Sequence, residues 1–245
     1  MIKPDKDNLT IIHYTANFLE TANPFFLKNT QEQLLRAIGD LPMIIVSQKP
    51  TMFGDNTTNI CVGDIGRSHL NIWKQILIGA KAAKTKYIAM AEDDILYSYE
   101  HFHSQVPDRD IFLYDMNRIS LFTWSRPPIF SYRHKRMVIN QLIAPRELYI
   151  KAFEERYAKF PDESKIDLHH FAEPGRYEHT LGVTVQPTDT FMCKKSSIVF
   201  THEYAYGYMY NHGKRKAQGD LRMFEVQGWP RAEVLLNLFY KDGYV

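Results

Sequence analysis

Cysteine is nearly absent: Cys61 and Cys193 are the two in 245 residues. They are too few and too far apart for a disulfide framework or a metal-binding cysteine spacing, and a reducing, cytoplasmic setting is the expectation from that usage. Net charge is almost lacking as well. Thirty Lys and Arg stand against 28 Asp and Glu, leaving +2, which excludes binding to a polyanion by bulk charge and leaves only local binding. Long apolar runs are missing. The longest stretches, such as Leu41 to Val46, fall far short of the ~20 residues that a bilayer span requires. The polar start Met1-Ile2-Lys3-Pro4-Asp5 does not have the layout of a secretory signal, so a soluble protein is expected. Repeats, low-complexity tracts and a convincing linker are also lacking, which favours one domain over residues 1–245.

What is present is ordinary globular composition, with enough apolar residues for a sizeable core, and many aromatics, 15 Tyr and 15 Phe, most of which will simply be packed. The run Leu9 to His13 reads as a buried strand ending in the loop Tyr14-Thr15-Ala16-Asn17. Asn23-Pro24 then offers an N-cap and a first helical residue, and Phe26, Leu27, Leu34, Leu35 and Ile38 follow at helical spacing up to Gly39. Pro42 to Ser47 is a second strand, completing a β-α-β unit of a parallel sheet. Residues 52–67, with several Gly and Asn, read as a loop, and Ser68 as the cap of a helix through Lys84. Tyr87 to Ala91 is a buried strand that runs into Glu92-Asp93-Asp94. A pair of strands is expected across Asp110 to Trp124, helices over Pro145 to Phe160 and Arg231 to Tyr240, and a strand over Ile198 to Thr201 that ends at His202. Residues 204–220 read as a loop.

The acid triplet is the sharpest chemical signal. Ligands of open α/β sheets collect outside the carboxyl ends of the strands, where carboxylates can hold Mg²⁺ or Mn²⁺, and such an ion can bridge nucleotide phosphates. A solvated turn is the plain alternative, but apolar segments on both sides of the triplet favour a ligand site.

Ile11-Ile12-His13-Tyr14-Thr15-Ala16-Asn17, a helix, Ile44-Ile45-Val46, a second helix and Ala91-Glu92-Asp93-Asp94 together resemble the nucleotide-sugar-binding half of glycosyltransferases with the GT-A fold, family 2-like. The resemblance covers residues 9–125 well and leaves 126–245 as an acceptor-binding, closing half. It implies a Rossmann-like, mostly parallel sheet flanked by helices. It further implies that Thr15, Ala16 and Asn17 form the turn beside the nucleobase, that Asp94 is the direct metal ligand, and that Glu92 and Asp93 support ribose or metal. His202 is placed as the late histidine that members of the fold supply to the metal. The resemblance implies a UDP-sugar as the donor; where the family often has an Asp that reads uracil, the chain departs with Ser47-Gln48-Lys49-Pro50, in which Gln48 offers amide contacts to a pyrimidine edge. Lys214 and Arg215, with Lys216, are placed to fold over a diphosphate.

An acceptor hydroxyl needs a base. In inverting members this is a carboxylate at a helix start, and Glu173-Pro174 fits that description, with Glu178 and Asp167 as competitors. The expectation is a metal-dependent, inverting transferase. Two basic segments, Arg126 to Arg136 and Lys214 to Arg222, are interleaved with Trp124, Phe130, Tyr132, Tyr206, Tyr208 and Tyr210, a pattern suited to phosphates and stacked bases. The acid segment and Ser47-Gln48-Lys49-Pro50 are also similar to bacteriophage-encoded, DNA-modifying glycosyltransferases, which implies 5-hydroxymethylpyrimidine in DNA as the acceptor. Three readings compete with this one. A protein or glycan acceptor is the first. A nucleotidyltransferase is the second, although Tyr14 to Thr21 lacks the Gly-rich basic loop of that class. A non-catalytic carbohydrate or nucleic-acid binding module is the third, and it would have no need of the acids.

Overall fold

The computed structural model describes residues 2–132, 137–162, 173–202 and 221–240. Strand β1 (Leu9–Thr15) is buried along its whole length, as a strand covered by helices on both faces must be. It lies between β2 (Met43–Ser47) and β4 (Tyr87–Ala91), parallel to both, with Ile11 opposite Met43 and Ala89. Beyond β2 lies β3 (Thr57–Cys61), again parallel. Beyond β4 come β9 (Leu142–Pro145), antiparallel to its neighbours, then β6 (Phe112–Asp115) and β10 (Thr188–Phe191), which are parallel to each other. Among the described residues this sheet has the order β10-β6-β9-β4-β1-β2-β3. The molecule is a mixed α/β structure with a mostly parallel central sheet flanked by helices.

Helix α1 (Leu19–Ala22) is a single turn. Helix α2 (Pro24–Ile38) starts as its sequence dictates: Asn23 Oδ1 accepts from Phe26 N–H at 3.0 Å, and Pro24 occupies the first turn, where no amide hydrogen is needed. With α4 (Tyr99–His103) it covers the sheet face bearing Leu9, Ile11, Ile45 and Ala89. Helix α3 (His69–Ala82), capped by Ser68, covers the opposite face beside α5 (Arg146–Lys159), over Ile12, Tyr14, Ile88 and Met90. Gly79 permits a close helix-to-sheet approach, because a Cβ there would lie 2.6 Å from Ile12 Cγ2. Of the remaining helices, α6 (Glu178–Leu181) is one turn and α7 (Ala232–Phe239) is the last.

A second sheet, in the order β12-β8-β7-β11-β5 among the described residues, comprises β5 (Ile95–Leu96), β7 (Arg118–Phe122), β8 (Ile129–Tyr132), β11 (Ser197–Thr201) and β12 (Leu221–Met223). Its core joins Leu96, Leu121, Phe130 and Phe200 to Phe26 and Leu27 of α2 and to Leu235 and Leu236 of α7. Among the described residues the chain passes from the first sheet to the second at three places, through Glu92-Asp93-Asp94 between β4 and β5, through Met116-Asn117 between β6 and β7, and through residues 192–196 between β10 and β11.

Several expectations are corrected. Residues 52–67 contain β3, which holds the sheet edge with a polar, half-exposed sequence and so shows no apolar run. The two strands of Asp110 to Trp124 form, but in different sheets rather than as a pair. Glu173-Pro174 does not start a helix: Pro174 and Gly175 form a turn, and the helix begins at Glu178. Phe130, read as a candidate stacking ring, is fully buried in the core. Residues 204–220, Asp167, His169, His170, His212, Lys214, Arg215, Lys216, Tyr206, Tyr208, Tyr210, Arg133, Lys135 and Arg136 lie outside the described residues.

Candidate active site

The acid triplet leaves β4 at the carboxyl edge of the first sheet, and its three side chains point three ways. Glu92 turns to the α3/α5 side, where its Oε1 accepts from Tyr14 Oη–H at 2.5 Å and its Oε2 from Asn140 Nδ2–H at 2.7 Å. Tyr97 Oη accepts from the Glu92 amide at 3.2 Å and donates to the Asn140 carbonyl at 3.1 Å. Burial raises the Glu92 carboxyl, the charge of Asp94 adds to this, and hydrogen bonds from Tyr14 and Asn140 with the Arg118 charge pull it back, leaving it at about 7.

Asp93 turns to the opposite side. Thr15 Oγ1 donates to its Oδ2, and His13 Nε2 lies 3.0 Å from its Oδ1. This carboxylate therefore ties the end of β1 to the acid turn.

Asp94 turns toward the second sheet. Its carbonyl accepts from Phe200 N–H at 2.9 Å, continuing the antiparallel β5–β11 pairing in which Leu96 faces Ile198 and Ile95 faces Val199. Two residues beyond Phe200, just past the end of β11, is His202, and its Nε2 lies 3.5 Å from Asp94 Oδ2, with the His202 side chain 3% and the Asp94 side chain 20% exposed. The two residues expected as metal ligands are thus brought together. Among the described residues no group of three or more His, Cys, Asp and Glu side chains gathers as a complete cation cage would. The pair alone suits an ion that takes one or two protein ligands and fills its shell with water and substrate phosphate, as Mg²⁺ and Mn²⁺ do.

The turn of Thr15, Ala16 and Asn17 is held by hydrogen bonds. Asn17 has a left-handed backbone, φ 57°, one of the few non-glycine side chains suited to it. Its Oδ1 accepts from the amides of Gln48 and Lys49 at 2.8 and 2.9 Å, and its Nδ2 donates to Glu20 and Thr51. Thr15 presents its carbonyl to Gln75 Nε2 of α3, which also donates to the Val46 carbonyl, both at 2.8 Å. Ala16 is half-buried between Thr15 and Asn17. Gln48 Nε2 donates to the Gly66 carbonyl at 2.7 Å, so this amide fixes the loop after β3. On the rim the Arg67 guanidinium lies 4.2 Å from the ring centre of Phe18.

Arg118, which the sequence reading passed over, starts β7 with its Nε buried and without a hydrogen-bond partner. Burial lowers its pKa, and Glu92, Asp94, Tyr97 and Glu173 counter that shift. Glu173 is mostly buried and paired with Arg176 at 2.8 Å. Glu178 sits deeper, 2% exposed, against Arg156 at 2.9 Å. Tyr14, Tyr97, Asn140 and Arg118 lie on four separate elements, and no sequence spacing marks them as neighbours of the triplet.

No family model and no curated protein matches the chain. Solved structures with a distantly similar arrangement include a glycosyltransferase involved in glycosylation of the major capsid of the virus PBCV-1 (TM-score 0.46, 10% identity, 78% of this chain and 92% of that one). The catalytic domain of Drosophila β1,4-galactosyltransferase 7 in complex with xylobiose is another (TM-score 0.43, 13% identity, 87% and 76%). A nucleotidyl transferase from Methanothermobacter thermautotroptrophicus is a third (TM-score 0.38, 12% identity, 60% and 76%). Likenesses this distant leave the functional reading to the residues of the site.

Proposed function

We propose that the protein is a metal-dependent glycosyltransferase that moves a sugar from a nucleotide diphosphate, a UDP-sugar, to an acceptor hydroxyl with inversion. The observation that carries this reading is the Asp94–His202 pair, 3.5 Å apart at the carboxyl edge of the sheet. These two side chains would hold the divalent ion, which would supply Lewis-acid stabilisation of diphosphate charge. Thr15, Ala16, Asn17 and Gln48 frame the nucleoside end, and Asp93 keeps that frame joined to the acid turn. Arg118 supplies fixed positive charge where the leaving group gains negative charge.

The acceptor oxygen attacks the anomeric carbon, the bond from that carbon to the diphosphate oxygen breaks with its electron pair going to the diphosphate, and the acceptor proton passes to Glu173. Glu173 is preferred to Glu178 as base because Glu178 is sealed against Arg156, whereas Glu173 lies within electrostatic reach of Arg118, as does Asp94. Lys214 and Arg215 remain candidates for closing over the diphosphate.

DNA carrying 5-hydroxymethylpyrimidine is the acceptor favoured here. Supporting it, β8 and β12 pair, with Ser131 opposite Arg222 and Tyr132 opposite Leu221, so the two basic segments meet at one sheet edge.

A thermal-shift panel of nucleotide sugars with and without Mn²⁺ tests the donor and the metal together. UDP-sugars are expected to stabilise the wild-type protein only with Mn²⁺. Asp94→Asn is expected to lose that stabilisation and all transfer while melting normally in the absence of ligand, and His202→Ala to bind Mn²⁺ about ten- to a hundredfold more weakly. Normal transfer by Asp94→Asn would overturn the metal-site assignment.

A further inference from the structure

Below Glu173 lies a second set of polar groups that the proposed chemistry does not use. Arg156 of α5 and Glu178 of α6 form an ion pair at 2.9 Å, the side chains being 1% and 2% exposed. Glu178 Oε1 also accepts from the Gly175 amide at 2.6 Å. Tyr114, fully buried on β6, donates its hydroxyl to the Pro174 carbonyl at 2.9 Å. Gly175 has φ +91°, and a Cβ on it would meet Thr188 Cγ2 of β10 at 2.3 Å, so the turn is pressed onto the sheet edge. From these fixed points the chain runs back to Glu173, whose carboxylate is then held from the side by Arg176.

Apolar residues of the same volume would stabilise the protein as well as or better than this buried pair of charges. What the charges add is direction, since one carboxylate oxygen is shared between a guanidinium on α5 and a single backbone amide two residues from Glu173. We infer that Arg156, Glu178 and Tyr114 are positioning residues, which fix the Pro174–Gly175 turn so that the Glu173 carboxylate faces the crevice containing Arg118 and Asp94. The inference rests on the reading of Glu173 as the acceptor base.

The test compares wild type with Glu178→Gln, Tyr114→Phe, Glu173→Gln and the double variant Glu173→Gln/Glu178→Gln. UDP release from UDP-sugars in Mn²⁺ is followed with water or an added alcohol as acceptor. Glu178→Gln is expected to lower kcat about ten- to a hundredfold, the scale of a misplaced catalytic group, with KM for the donor unchanged. Tyr114→Phe, which keeps the ring, is expected to lower kcat by about fivefold, the equivalent of one hydrogen bond. In the Glu173→Gln background the Glu178→Gln change is expected to cost nothing more. A purely structural role would instead lower the melting temperature and leave the losses additive. A second measurement does not need turnover. The Glu173 carboxyl carbon, titrated by NMR, is expected to shift its midpoint in Glu178→Gln and Tyr114→Phe, together with faster amide exchange at Gly175. Unchanged kcat in a folded Glu178→Gln protein, or an unmoved Glu173 titration and Gly175 exchange, overturns the positioning role. Wild-type protein without any UDP release overturns the transferase reading instead, and the NMR arm then still decides whether these residues set Glu173.

Discussion

Three adjacent carboxylates do three different jobs, and that division could not be read from their order. The triplet stands out in the sequence because a buried strand runs into it, but of the groups around Glu92 Tyr97 is five residues away while Tyr14 and Asn140 come from distant parts of the chain. Glu92 therefore carries a prediction of its own. Its pKa in the folded protein is raised from the ordinary 4.5 to about 7, so the folded state binds the proton more tightly than the unfolded chain does. The associated stability is fully present below about pH 4.5 and is lost as pH rises through 7. Glu92→Gln imitates the protonated form, and the free Oδ1 of Asn140 can accept from the new amide after a flip of the Asn140 side chain. The melting temperature of Glu92→Gln, relative to wild type, is expected to climb by about 2–4 °C between pH 5 and pH 8, on the order of 1 kcal/mol for a chain of this size. Parallel melting curves across that range would return Glu92 to an ordinary carboxylate.

Elements with strong local signals formed where the sequence placed them. Asn23 and Ser68 cap α2 and α3, the two parallel strands before Asn17 and Lys49 are buried, and α5 ends before Pro161. The elements that went unread are those made by pairing. β3 is half-exposed and polar, β10 is short, and β5 has two residues; their hydrogen bonds go to partners far away in sequence, which periodicity cannot reveal. The site shares this split. Asp94 and His202 were each legible as the residue after an apolar run, while their proximity depends on β5 pairing with β11. At this scale the test is Gly79→Ala. The added methyl meets Ile12 at 2.6 Å and Val46 at 3.1 Å, on the strands that lead to Asn17 and to Gln48. An overpacked interface of this kind is expected to cost about 1–3 kcal/mol, read as a lower urea midpoint, with donor affinity falling as β1 and β2 are pushed away from α3. An unchanged midpoint would mean that the helix shifts outward without penalty.

For the whole molecule, near-neutral net charge sets what any nucleic-acid acceptor has to do. Affinity for hydroxymethylated DNA has to come from a few local cations, so log Kd is expected to depend on log salt with a modest slope, each phosphate contact contributing about 0.9. Arg222→Ala, at the edge where β12 meets β8, is expected to reduce that slope by about one contact. Equal slopes in the two proteins, or no retention at low salt, would point to a protein or glycan acceptor. The two shortest passages from the first sheet to the second have a consequence for how the gene can drift. Residues 92–94 and 116–117 each join a strand of one sheet to a strand of the other without slack. Inserting or deleting one residue there would turn every following side chain of β5 or β7 to the wrong face, whereas the exposed stretch 63–65, where a Cβ on Gly63 would meet nothing within 4 Å, lies before the held Gly66 carbonyl and can change length. Sequences descended from a common ancestor with this one should therefore show gaps in the loop before α3 and none at either passage.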